Sequence, residues 1–67
     1  MGKNLTPKHH RLLLNFTQKE LADKLGIHVN SYSNKERGDI DFTFTEMIDL
    51  ANIFGVNVNE ILPVYNK

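Results

Sequence analysis

Apolar positions along this chain recur at helical spacing, and most runs are opened by a polar cap residue and closed by a residue that tolerates left-handed backbone. Thr17 with Glu20 forms a capping box, which predicts a helix from about Gln18 to Leu25 with Leu21, Ala22 and Leu25 on one apolar face. Gly26 permits the reversal of direction, and a further helix is predicted from about Val29 to Arg37, stopped by Gly38. Thr6 before Pro7 places a cap and then proline at the first helical position, so a helix is expected from about Pro7 to Leu14, with Asn15 as its left-handed stop. Gly38 to Phe42 reads as a loop. Thr43 with Glu46 is a second capping box, followed at helical spacing by Phe44, Met47, Ile48, Ala51 and Phe54, which predicts a helix from Phe44 to Phe54. Asn57 with Glu60 marks a last short helix limited by Pro63. Nothing in the pattern requires a strand.

These elements predict an all-α fold, a compact five-helix bundle forming one domain over residues 1–67 with its core at about 6–62. The expected core is Leu12, Phe16, Leu21, Ala22, Leu25, Ile27, Tyr32, Phe44, Ile48, Leu50, Ala51, Phe54, Val56 and Ile61. A chain of 67 residues without cysteine has no disulfide or Cys-based zinc site to staple it, so stability must come from helix packing, caps or oligomerisation. No apolar run approaches the roughly 20 residues that span a bilayer, and the N-terminus lacks the apolar stretch of a signal peptide. A cytoplasmic protein with no membrane partner is the expectation.

The two helices around Gly26, residues 17–38, have the arrangement that projects a second helix into a DNA major groove. That second helix carries Asn30, Ser31, Ser33 and Asn34. Helix interiors disfavour Asn and Ser, so this run needs a reason, and hydrogen bonding to base edges supplies one; a merely solvated face is the plainer alternative. The formal net charge is zero, yet residues 1–37 hold seven Lys or Arg against three acids, whereas residues 38–67 hold five acids against Lys67. A phosphate meets the local field rather than the sum, so the basic half remains compatible with nucleic acid.

From Pro7 to Leu62 the chain resembles the Cro and phage-repressor type of helix-turn-helix proteins, the XRE family. The resemblance rests on an ordered set: Thr17-Gln18 with Glu20-Leu21-Ala22, Leu25-Gly26-Ile27, Glu36-Arg37-Gly38, Leu50-Ala51, Phe54-Gly55-Val56 and Glu60-Ile61-Leu62. It implies a lambda-repressor-like five-helix domain that binds a double-stranded operator as a homodimer, weak when free of DNA. By position, Val29, Asn30, Ser33 and Asn34 are expected to contact bases. Physically, an asparagine can pair twice with adenine and a valine can pack on a thymine methyl. Gln18, His28, Lys35 and Arg37 are expected at phosphates, with His28 alternatively the cap of its helix. Arg11 and Glu36 match a structural ion pair of the family. Lys35 and His10 stand where relatives carry apolar residues, and Val29 where they are often polar.

Leu62, Val64 and Tyr65 are the expected dimer contact. His9 and His10 are adjacent and point about 100° apart on a helix, so no metal site is expected, and no cofactor. No Ser, His and acid constellation suggests an enzyme, and Asp39 and Asp41 more plainly shape a turn. The expected function is a sequence-specific DNA-binding transcriptional regulator that acts as a repressor by occluding a promoter. A protein-interaction module on the same fold, such as an antitoxin or adaptor, is the alternative.

Overall fold

The computed structural model describes residues 5–61. Within that span lie four α-helices, α1 (Pro7–Leu13), α2 (Gln18–Leu25), α3 (Val29–Arg37) and α4 (Phe44–Phe54), followed by one 3₁₀ turn, Val58–Glu60. Helices α2 and α3 share the most extensive interface, and α4 packs on α1, on α2 and on the 3₁₀ turn. A single parallel bridge joins Leu5 to Ile61, where the Leu5 N–H donates to the Glu60 carbonyl at 3.2 Å.

Every helix starts on the same device. Thr6, Thr17, His28 and Thr43 sit in extended backbone, and each side chain accepts a main-chain N–H of the first turn. Both capping boxes are closed, with Glu20 and Glu46 reaching back to the N–H of Thr17 and Thr43. Before each cap stands an apolar residue, and five positions after that residue stands a buried one: Leu5 and His10, Phe16 and Leu21, Ile27 and Tyr32, Phe42 and Met47. This is the spacing of a hydrophobic staple, which fixes the angle at which the chain enters a helix. Val56, Asn57 and Ile61 repeat the spacing a fifth time.

The fifth segment nevertheless falls short of the helix expected there. Asn57 makes no side-chain cap, and Ile61 is extended at φ −100° and ψ 128°. Ile61 is buried and bridged to Leu5, so core burial and a sheet-like backbone pairing end the helix after one turn. Helix α1 likewise stops one residue short of Leu14, and Asn15 takes the expected left-handed conformation at φ 62°.

The core consists of Leu21, Ala22, Tyr32, Phe42, Met47, Leu50, Ala51, Phe54 and Ile61, with Phe16, Leu25, Ile27, Val29, Ile53, Val56 and Val58 packed partly against it. Three expected members are exposed: Leu12, Phe44 and Ile48. At the start of α4 the inward residue is Phe42, 2% exposed, rather than Phe44 at 59%. Phe42 precedes the cap and turns back against Tyr32, with ring centroids 5.7 Å apart. On α1 the buried residues are Pro7, His10 and Arg11, which leaves Leu12 to Leu14 outside. His10 stacks on Phe54 at 5.0 Å, and its Nε2 is buried with no hydrogen-bond partner.

Arg11 is turned inward by Glu36. The Glu36 carboxylate, its side chain 3% exposed, accepts from Arg11 Nε at 2.8 Å and Nη2 at 3.1 Å, from Gln18 Nε2 at 2.8 Å and from the Tyr32 hydroxyl at 2.8 Å. Arg11 Nη1 also donates to the Phe16 carbonyl, so one guanidinium ties α1 to the α1–α2 connection and to α3. Burial alone would push the Glu36 carboxyl up, but the bonds from Arg11, Gln18 and Tyr32 outweigh it and hold the group below the usual carboxylate range. Burial and the neighbouring carboxylate push the Tyr32 hydroxyl up. A second pair joins α3 to α4, with Lys35 Nζ 2.7 and 2.8 Å from the two Glu46 oxygens and both side chains largely covered. Burial again opposes ionisation of Glu46, and the Lys35 ammonium with the Thr43 N–H overcomes it, leaving its carboxyl low.

Two outcomes are expected. Replacing His10 with leucine removes an unpartnered buried nitrogen and should raise stability by roughly 1 kcal/mol, read as a higher midpoint in thermal unfolding; a lower midpoint would mean that the stack on Phe54 outweighs the orphaned atom. Because Glu36 and Glu46 bind protons more weakly folded than unfolded, the stability they contribute is complete above the ordinary carboxylate range and is lost as pH falls through their lowered values. The difference in melting temperature between the wild type and a variant lacking both carboxylates should therefore hold from neutrality to about pH 5 and shrink below about pH 4. The double variant Glu36→Gln, Glu46→Gln should start lower and lose less over that interval.

Candidate nucleic-acid interface

With Tyr32 and Glu36 turned into the bundle, the opposite side of α3 presents Asn30, Ser33, Asn34 and Arg37, spaced i, i+3, i+4 and i+7. Asn30 and Arg37 are exposed, whereas Ser33 and Asn34 are half-buried. Val29 lies at the edge of this face, half-buried and packed against the core, so only part of its side chain is available to an outside partner.

His28 caps α3. Its Nδ1 accepts the Asn30 N–H at 3.0 Å, which requires the ring proton of the neutral form on Nε2 and leaves an exposed N–H donor at the mouth of the helix. The two roles expected of His28, cap and outside contact, are thus chemically compatible on different ring nitrogens. Gln18 is similarly divided: one Nε2 hydrogen is given to Glu36, and the second remains.

The other two cations expected at phosphates are held by protein groups. Lys35 lies against Glu46. Arg37 donates to Asp39 Oδ2 from Nε at 3.2 Å and Nη2 at 2.9 Å, to Ser33 Oγ from Nη1 at 3.1 Å, and to Asn34 Oδ1 from Nη2 at 2.6 Å. Of five N–H groups, one is left for anything else. Lys19 pairs in the open with Asp23 at 3.3 Å, and the Lys24 ammonium stands 5.8 Å from the Phe16 ring centroid.

The structure therefore gathers Arg11, Gln18 and Glu36 at one point behind α3, and Ser33, Asn34 and Arg37 at another in front of it. It separates Lys35 from both. Sequence reasoning missed three partners: Asp39, read as a turn former; Glu46, read only as a cap; and the Tyr32 hydroxyl, read only as core. The signal for Asp39 was its place two residues after a helix-ending arginine. Leu62, Val64 and Tyr65 lie outside the described residues. Among those described, no helix is long and apolar enough to cross a membrane.

A helix-turn-helix family model matches residues 8–61. The HTH-type transcriptional regulator ImmR of Bacillus subtilis is 37% identical over 62 residues, covering 92% of this chain and 47% of that protein. An uncharacterized HTH-type transcriptional regulator of Methanocaldococcus jannaschii is 35% identical over 54 residues, covering 81% of this chain and 82% of the relative. The chain thus spans about half the length of the Bacillus regulator and most of the archaeal one. No solved structure matches significantly. The matched span runs from α1 to the bridge at Ile61 and contains the whole Glu36 cluster, and on this evidence the chain belongs to the XRE-type helix-turn-helix family.

Proposed function

We propose that this protein is a sequence-specific double-stranded DNA-binding transcriptional regulator, with α3 in the major groove and two copies on a palindromic operator. The observation that carries the reading is the polar outer face of α3, braced from behind by the Glu36 cluster. A helix that must read bases has to be held in one rotation, and buried hydrogen bonds from α1 and α2 do that here. Family membership and the names of both regulators support the same reading.

Asn30, at the N-terminal end of the outer face, and Asn34, one turn later, read base edges, with Ser33 beside them and Val29 contributing an apolar edge. The Gln18 Nε2 hydrogen not given to Glu36, and His28 Nε2–H, donate to phosphate oxygens flanking the groove. Lys35 acts from within the fold, keeping α3 and α4 in register. One copy offers few base contacts, so specificity comes from a homodimer whose half-sites lie about one helical turn apart. Occupying a promoter in this way excludes other proteins from it and makes repression the direct consequence.

Selection from a random duplex pool, read by sequencing at near-physiological salt, tests the reading. Enrichment of a palindrome is expected; a folded protein that enriches nothing would sink it. Asn30→Ala should flatten preference at one base pair of each half-site, at a cost of roughly 1–3 kcal/mol on the selected operator. A uniform loss on all sequences would instead make Asn30 a backbone contact. Lys35→Ala should leave the salt dependence of binding unchanged while lowering stability by about 2 kcal/mol, because Glu46 loses its ammonium partner. A salt slope shallower by about one would put Lys35 on a phosphate.

A further inference from the structure

Arg37 is commonly the kind of residue assigned to phosphate, yet its hydrogen bonds point along the protein. Asp39 takes the guanidinium from one side through Nε and Nη2. The other edge of the fork meets Ser33 Oγ and Asn34 Oδ1, the latter at 2.6 Å. A guanidinium has donors only, so whatever faces it must accept. That chemistry settles the orientation of the Asn34 amide, because a flipped amide would set N–H against N–H. It also makes the Ser33 oxygen an acceptor towards Arg37, which leaves the hydroxyl hydrogen to be given elsewhere.

We propose that Arg37, braced by Asp39, is a positioning residue for base recognition that turns Ser33 and Asn34 into hydrogen-bond donors towards the groove. The inference rests on the reading of α3 as the base-contacting helix. The two ends of a planar amide point apart, so an Asn34 held by Oδ1 offers its Nδ2 hydrogens outward. Pairing twice with adenine needs that oxygen and an Nδ2 hydrogen to face the base side by side. The oxygen has a second lone pair, but the 2.6 Å bond turns it towards Arg37 and away from such a pairing. With the oxygen held by Arg37, the pair Ser33 and Asn34 matches an edge that only accepts. In the major groove the edge with two acceptors and no donor is guanine, through O6 and N7; thymine offers one acceptor, O4, beside its methyl group. The sequence alone favours adenine for asparagine; the arginine one turn further along α3 redirects it.

The test is duplex selection with the wild type and with Arg37→Ala, Arg37→Lys and Asn34→Ala, each checked for an unchanged thermal midpoint. Asn34→Ala identifies the base pair that Asn34 reads. At that base pair the wild type should prefer guanine. Arg37→Ala should shift the guanine-over-adenine ratio by roughly fivefold or more towards adenine, leaving other positions in place. Arg37→Lys keeps the charge but loses the fork, so it should shift in the same direction. Three results overturn the proposal. One is a wild-type preference for adenine at that position. Another is an Arg37→Ala variant that loses affinity uniformly with a shallower salt slope, which is the behaviour of a phosphate contact. The third is an Arg37→Lys variant that keeps the wild-type profile. A wild type that enriches no sequence removes the base-reading function itself, and is thereby told apart from a failure of the positioning role alone. Asp39→Ala supplies an independent arm: it should soften the guanine preference while raising affinity for all duplexes, since it frees Arg37 and removes an acid.

Discussion

The Glu36 carboxylate is a charge withdrawn from water, and such a charge is tolerated only where its lone pairs are met by donors. Here the donors come from three different helices. Arg11 supplies two from α1, Gln18 one from α2 and Tyr32 one from within α3. Each donor must be aimed, so the cluster fixes rotations as well as distances. Turning Arg11 inward is what places His10 against Phe54 and sends Leu12 to the surface. Turning Glu36 inward is what leaves Asn30, Ser33, Asn34 and Arg37 on the outside. An apolar core of this size would favour burial without choosing among neighbouring rotations of a helix; the hydrogen-bonded cluster chooses.

Helix α4 is attached by other means. Its entry is set by Phe42, and its register against α3 by Lys35 and Glu46, whose carboxylate also closes the capping box. Glu46 therefore couples the start of α4 to the end of α3 through one side chain. The Leu5 and Ile61 bridge then draws the two ends of the described chain together beside the core. Removing one partner from such a tie leaves an uncompensated group where water has little access, which is why small domains concentrate their sensitivity at a few polar residues.

Local chemistry was legible in the sequence to the extent that it is local. The caps at Thr6, Thr17 and Thr43, the left-handed stop at Asn15 and the bounds of α2, α3 and α4 all involve residues within one turn of each other. What the sequence misjudged lies one step further out. Phe42 and Phe44 flank the same cap, and periodicity favours Phe44 because it belongs to the helix; burial goes to Phe42 because the staple reaches back from outside it. Asn57 and Glu60 look like a cap, yet tertiary pairing at Ile61 overrides the local preference. Arg11 and Glu36 are 25 residues apart and were paired by family resemblance alone, while the partners of Lys35 and Arg37 came only with the fold. Residue spacing alone puts Asn30, Ser33, Asn34 and Arg37 on one side of α3, but which atoms of each remain available is a property of hydrogen bonds that no pattern of residue types contains.

That last distinction bears on how a neutral protein can engage a polyanion. Asp39 stands beside the reading face proposed for α3, where a carboxylate repels phosphate and weakens binding to every sequence alike. Its bond to Arg37 is exposed, and exposed pairs add little to stability. Stability is thus a poor reason for its presence, and affinity a worse one. Orientation is a better account, because a guanidinium held on one side by Asp39 has a defined edge to offer Ser33 and Asn34 on the other. On the proposed reading of α3, the acidic neighbour lowers general attraction while sharpening the difference between one base and another. A regulator that must ignore most of a genome gains more from that difference than from total affinity, since non-specific sites compete in proportion to the general attraction.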